Sequence, residues 1–435
     1  MTAPVLPSIN SYPNRRTFVA GTIAAVAAPF VLGKAHASER QLSGSLSGAN
    51  YAIRVPENWN GTLLLFAHPY RLAEDPKSFD PNLTFAPAEA GYFPELEPLL
   101  IGKGYALAAA AFRRQGYAVR EGIEDCAAVA AEFHKTIGKP RQTILYGTSL
   151  GSLIALEGAE NPRGLYDGVI LLSGLSSGGR PVWDRVFDFA LAFDVAFGWP
   201  DAWGKLGAIR SDVSFGKDVV PVLRQLLSDK ANIPQFEFMR AVGGFPPLGY
   251  YDGKMPNPWL FGNMFFATYG VAELQKRAGG NPLQSARGPY ALAEQDAARL
   301  KEAGADVSAL VQALNHESRQ INPEAGAREY LAKNYSPSGN LKTPVLSVHS
   351  RNDGFAPISN ESALKSNVAK AGRSANLVQA YTEVVGHNAF SAEQMMASFT
   401  AMETWISNGK RPTEASFLQG AGFLTGYEPP VWPTR

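Results

Sequence analysis

Two stretches of the chain, Gly147-Thr148-Ser149-Leu150-Gly151 and Gly174-Leu175-Ser176-Ser177-Gly178, place a serine between glycines two residues away on either side. A serine at the apex of a tight strand-to-helix turn sits in strained backbone, so its neighbours at those positions must be small. Such a turn exposes the hydroxyl at the carboxyl end of a strand. It also sets the next amide at a helix N-terminus, where it can stabilise negative charge. That is the equipment of a nucleophile for acyl transfer. With 42 glycines in the chain the spacing recurs easily, and alone it does not choose between the two serines. Context does. Ser149 follows the apolar run Thr143-Ile144-Leu145-Tyr146 and precedes Ser152-Leu153-Ile154-Ala155-Leu156-Glu157, which continues as a helix. Ser176 is followed by Gly178-Gly179-Arg180-Pro181, which is expected to break a helix where the turn needs one.

A serine so placed requires a sheet beneath it, and short apolar runs do alternate with helical patterns along the chain. That rhythm predicts a mostly parallel sheet with helices on both faces. Polar and apolar residues alternate at 42–46 and 50–55, with glycine at the turns, which predicts an antiparallel hairpin at the sheet edge. Four runs with little alternation follow at 62–67, 105–112, 143–146 and 168–172, as expected of strands buried on both faces. Helices are predicted near 94–102, 119–137 and 149–159. The rhythm resumes with a strand at 345–349, a helix near 359–371, a strand near 377–382 and a last helix near 392–406. Between them the chain becomes helical and aromatic, with Trp183, Phe187, Phe189, Phe193, Phe197, Trp199 and Trp203, then Trp259, Phe261, Phe265 and Phe266. Residues 176–340 are therefore read as a helical cap inserted late in the sheet. The sheet-bearing core occupies 38–175 and 341–410, and 411–435 form a tail. The cap aromatics are candidates either for its own core or for the lining of an apolar substrate cavity.

Composition narrows the function. At 45% hydrophobic and 18% charged residues the 435-residue chain supports one large core carrying an insertion. A formal charge of +1 argues against a nucleic-acid surface. Residues 1–37 read as an address: Asn14-Arg15-Arg16-Thr17-Phe18-Val19 resembles the twin-arginine export motif. A mildly apolar run follows it, then the small-residue cleavage site Ala35-His36-Ala37. The run is too short for a stable membrane span. Loss of Arg15, Arg16 and Lys34 with that segment would turn the formal charge from +1 to −2. The single cysteine, Cys126, cannot form an internal disulfide and is expected as a buried, inert thiol.

The serine turn in this strand order resembles the α/β-hydrolase superfamily. The resemblance implies a triad in the chain order nucleophile, acid, histidine. Of the six histidines, His36, His68 and His134 precede Ser149, His316 lies in the expected cap and His349 inside a strand. His387 remains, in a loop after the last strand, as the implied base. The implied acid is Asp353, in the turn of Ser350-Arg351-Asn352-Asp353-Gly354 that follows the strand resuming the sheet. For the oxyanion hole the resemblance implies the amide of Leu150 and a donor from Tyr70, in His68-Pro69-Tyr70. Superfamily members usually carry His-Gly at the first two of these positions. Pro69 lacks an N–H and the glycine's freedom, so either the amide or the hydroxyl of Tyr70 is the candidate donor. Arg113-Arg114, near the expected mouth of the site, read as a structural or solvated pair, or as a contact for a substrate carboxylate. No metal-ligand spacing or nucleotide-binding glycine pattern stands in the sequence, so neither a metal nor a cofactor is expected. The expected function is an exported serine hydrolase acting on a small, apolar or aromatic ester. The alternatives are a peptidase or amidase with the same residues, or a binding protein that kept the fold and lost turnover.

Overall fold

The computed structural model describes residues 39–72, 96–247, 258–285, 288–316, 320–417 and 421–432; the expected export segment 1–37 lies outside them. The chain opens as β1 (Glu39–Leu46) and β2 (Ala49–Pro56), paired antiparallel. The turn between them, Ser47-Gly48, has positive φ at both residues (50° and 87°), the backbone that matches the twist of a two-residue hairpin. Then β3 (Thr62–Ala67), β4 (Ala106–Ala110), β5 (Gln142–Thr148) and β6 (Gly168–Leu172) are buried along their whole length, as their unbroken apolar runs predict. Crossovers between them carry α1 (Leu96–Gly102), α2 (Val119–Thr136) and α3 (Leu150–Glu160).

After β6 the chain leaves the sheet for a run of helices, which among the described residues are α4 (Gly179–Phe197), α5 (Val220–Ser228), α6 (Ile233–Gly243), α7 (Pro258–Phe265), α8 (Val271–Ala278), α9 (Glu294–Glu302), α10 (Val307–Leu314) and α11 (Ala325–Asn334). A two-residue ribbon, β7 (Gly204–Lys205) with β8 (Ala208–Ile209), interrupts them. The chain then returns as β9 (Val345–Asn352), α12 (Ser359–Lys370), β10 (Leu377–Val385) and α13 (Ala392–Asn408). The eight-stranded sheet has the order β1-β2-β4-β3-β5-β6-β9-β10, and all pairs from β4 to β10 are parallel. β2 alone runs against the rest.

Period-two alternation separates two cores. Leu64, Phe66, Ile144, Tyr146, Ile170 and Leu172 point to one face and pack with Phe399, Met402 and Trp405 of α13. Leu63, Leu65, Leu145, Val169 and Leu171 point to the other, under α2 and α3. The cluster on this second face continues without a break into Phe187, Phe193 and Trp203 of the helical insertion. Most of the aromatics singled out between 183 and 203 thus build the interior of that layer. Among the described residues no helix is long and apolar enough to cross a membrane.

Candidate active site

Ser149 stands between the end of β5 and the start of α3 with φ 53° and ψ −118°, a conformation that L-residues rarely adopt. Its amide donates to the carbonyl of Leu172, at the end of β6 (2.9 Å), which ties the turn to the neighbouring strand. A Cβ on Gly147 would collide with the backbone of Gly151, and one on Gly151 with the carbonyl of Ala67 at the end of β3. Both glycines are therefore required by close backbone approach. Ser152, one turn into α3, donates to the carbonyl of Gly147 (2.8 Å) and braces the bend from inside.

Ser176 has no such geometry. It is fully buried and its Oγ donates to the backbone carbonyl of Asn360 (3.1 Å). The expected helix break after it is absent, because α4 starts at Gly179 with Pro181 in its first turn. There proline's missing N–H costs no intrahelical bond. Ser176 is set aside by its burial and its hydrogen bond, not by the lack of a following helix.

The turn after β9 carries Asp353, fully buried. Its Oδ1 accepts from the amides of Phe355 (2.8 Å) and Ala356 (2.9 Å), and its Oδ2 accepts from His387 Nδ1 (2.8 Å). Burial by itself would raise the Asp353 carboxyl. The His387 interaction, the charge of His349 and the Ala356 amide outweigh it, and the net displacement is below the ordinary aspartate value. His387 lies in the short loop between β10 and α13, flanked by Gly386 and Asn388, both with positive φ. The loop is pinned at both sides: Gly386 N donates to Asn352 O (3.2 Å) and Asn388 N to Ser173 Oγ (3.1 Å).

Asp353 and His387 are thus joined directly. Ser149 shares a wall with them: Phe355 packs its ring 5.0 Å from the imidazole and lines the cavity into which Ser149 opens. All three residues stand at the carboxyl ends of neighbouring parallel strands or in the loops that follow them, the side of such a sheet where ligands bind.

That cavity is walled mainly by Tyr70, Tyr117, Trp183, Phe266 and Phe355 beside Leu150. Both expected oxyanion-hole residues therefore border the same space as Ser149. Burial, then the nearby Glu273 carboxylate, hold the Tyr70 phenol well above its ordinary value, so it stays a protonated donor. His68, before it, is buried, stacks on Phe112 (3.7 Å) and has its Nδ1 on the carbonyl of Pro69 (2.7 Å). Burial and then the charge of Arg71 keep it neutral. Tyr117 and Trp183, which the spacing arguments did not single out as site residues, are the cavity's other polar rings. The Tyr117 hydroxyl and the Trp183 indole nitrogen are buried and find no hydrogen-bond partner among the described residues. No short motif carries them, since one comes from the loop before α2 and the other from α4.

Arg113 pairs with Asp125 and Glu124 of α2, and Arg114 lies exposed 3.9 Å from Glu121. Arg113 is thus held by α2, whereas Arg114 is solvated. Cys126 is buried, and burial pushes its thiol up and out of the reactive range.

One reversed strand in an otherwise parallel eight-stranded sheet, with a strained serine at the β5–α3 turn, decides the architecture. The chain has the α/β-hydrolase fold. In this chain α4–α11 lie between β6 and β9. No family model matches the sequence. A stretch of 139 residues is 31% identical to an o-phthalyl amidase of Xanthobacter agilis. It covers 31% of this chain and 26% of that protein, so the hydrolase chain spans about a quarter of its relative's length. Solved structures that align with it include an esterase of Pyrococcus furiosus (11% identity, TM-score 0.37, 86% of this chain and 89% of the other). An acylaminoacyl peptidase of Pyrococcus horikoshii (12%, 0.40, 85% and 41%) also aligns. So does a serine hydrolase of the polyaromatic-hydrocarbon-degrading bacterium Cycloclasticus zankles (13%, 0.40, 86% and 99%). These likenesses are loose, and the fold assignment rests on strand order and on the serine turn.

Proposed function

We propose that this chain is an exported serine hydrolase that cleaves carboxylic esters through an acyl-enzyme. Ser149 is the nucleophile, His387 the general base and then acid, and Asp353 the group that orients the imidazole. The observation that carries this reading is the 2.8 Å bond from His387 Nδ1 to the buried Asp353, at the same sheet end as the strained Ser149. A neutral serine is a poor nucleophile. His387 Nε2 takes the Ser149 proton as Oγ attacks the carbonyl carbon, and returns it to the leaving alcohol as the tetrahedral intermediate collapses. Water then repeats the cycle and releases the acid. Asp353 holds Nδ1–H, fixes the tautomer and stabilises the imidazolium. The serine–imidazole bond of such sites is often long without substrate and tightens when substrate binds.

Negative charge on the carbonyl oxygen falls to the Leu150 amide, at the N-terminus of α3, and to Tyr70. The hydroxyl of Tyr70, kept protonated, suits that task where Pro69 has replaced the usual glycine. The aromatic cavity favours an apolar or aromatic acyl group. The unpartnered Tyr117 hydroxyl and Trp183 N–H favour one that also carries an acceptor atom. A second reading, hydrolysis of an amide by the same residues, is favoured by the stretch shared with the o-phthalyl amidase. Hydrolysis of a panel of p-nitrophenyl esters beside acyl anilides separates the two. Faster kcat/KM on aromatic esters is expected; faster anilide hydrolysis would transfer the assignment to amides, and no turnover of either by folded protein would contradict both.

A further inference from the structure

Behind Asp353 lies a second imidazole. His349, on β9, is fully buried, and its Nε2 stands 3.6 Å from Asp353 Oδ2, the oxygen that also holds His387. Each of its ring nitrogens faces a group that accepts. Nε2 lies 3.0 Å from the carbonyl of Ala356, and Nδ1 lies 3.3 Å from Oε1 of Glu361 on α12. Glu361 is fully buried, and both its oxygens already receive protons: Oε1 from Ser347 Oγ (2.8 Å) and Oε2 from Gln379 Nε2 (2.7 Å). Accepting on both oxygens is the pattern of a carboxylate, and beside it His349 Nδ1 takes the donor role. With N–H on both nitrogens, the imidazole is a cation.

We propose that His349 is a cationic positioning residue: braced by Glu361, it fixes the Asp353 carboxylate from behind and sets the charge that His387 experiences. This rests on the reading of Asp353 and His387 given above. Buried charges then alternate along one line, Glu361 negative, His349 positive, Asp353 negative, ending at His387. The titratable groups facing His349 are Glu361 from α12, Asp353 from the following turn and Tyr381, its register partner on β10, while His387 is bound to the same Asp353 oxygen. Burial and then the Glu361 charge push the Tyr381 phenol up, so it is neutral throughout the working range. The cation of His349 sits beside the carboxylate oxygen that holds His387, so its charge reaches the base through Asp353.

Nitrogen-labelled histidine NMR on the whole chain tests this directly. His349 should carry protons on both ring nitrogens from pH 6 to 8; a single protonated nitrogen across that range overturns the proposal. In His349→Gln, the His387 ring titration and the acid limb of kcat/KM should both move up by about one pH unit, an order of magnitude set by one lost charge. If Glu361, left without its cation, unfolds that variant, the pair His349→Gln with Glu361→Gln removes both charges and should still move the limb upward. A folded variant whose His387 titration stays at the wild-type position overturns the charge-setting role. Retained turnover in Ser149→Ala would instead sink the underlying triad reading, and the protonation state of His349 would still be read.

Discussion

Ser149 occupies backbone that costs of order 1–3 kcal/mol for a residue with a side chain. Ser149→Gly should therefore raise the urea midpoint, by about 1 kcal/mol in stability, while turnover disappears. A lowered midpoint would mean that the turn is not strained. Asp353→Asn should keep the fold and lower kcat by about 10⁴, because the amide no longer accepts from the His387 N–H. Near-normal rates would move the acid elsewhere. The two groups beside each other in the buried row have opposite stability signatures. Asp353, displaced downward, contributes stability that is present above about pH 4, the unfolded value, and is lost as pH falls through the folded one. His349, displaced upward by Glu361 despite its burial, contributes stability that is complete below about pH 6.5 and lost as pH rises through its folded value. Urea midpoints measured from pH 3 to 9 should therefore fall toward both ends, and His349→Gln should flatten the alkaline side. At this scale the serine was legible from glycine spacing and its flanks. His387 and Asp353 followed from chain order in a fold that the sequence resembled. In the sequence His349 is one residue of a strand, with nothing to mark it. Its relation to Asp353 requires the chain to fold back after Asn352, and its partner Glu361 comes from a helix that no spacing rule connects to it.

The turn around Ser149 is an element in which two backbones nearly touch. Gly151→Ala should cost several kcal/mol or prevent folding, because its methyl meets the Ala67 carbonyl, a backbone atom with no rotamer to escape into. Wild-type thermal stability in that variant would contradict the packing described for β3 and α3. Strands at the sheet centre were legible because they are apolar on both faces, and the hairpin because Ser47-Gly48 suits its turn. The helix at Gly179 was not, since glycine and proline discourage helices in general. Here they occupy its first turn, where proline is tolerated and where Gly179 makes room for the Tyr117 hydroxyl.

Over the whole molecule, the apolar face above α2 and α3 merges with the interior of the inserted helices, and the cavity lies at their junction. Residues 176–340, taken as a cap, would then select substrate while the sheet ends supply the chemistry. Trp183→Ala should accordingly raise KM for aromatic esters more than it lowers kcat, which steady-state kinetics on a benzoate and an acetate ester would resolve. Equal losses on both esters would assign Trp183 to packing alone. Composition foretold one large core with an insertion, but not which aromatics reach the cavity, since Trp183 and Phe187 stand one turn apart on the same face of α4 and only Trp183 lines it. The most direct test of the account is covalent labelling of the folded protein by a fluorophosphonate, with the modified peptide identified by mass spectrometry. Label on Ser149 that vanishes in Ser149→Ala and falls steeply in His387→Ala is the predicted result. Folded protein that stays unlabelled, or that carries its label on Ser176, would contradict it.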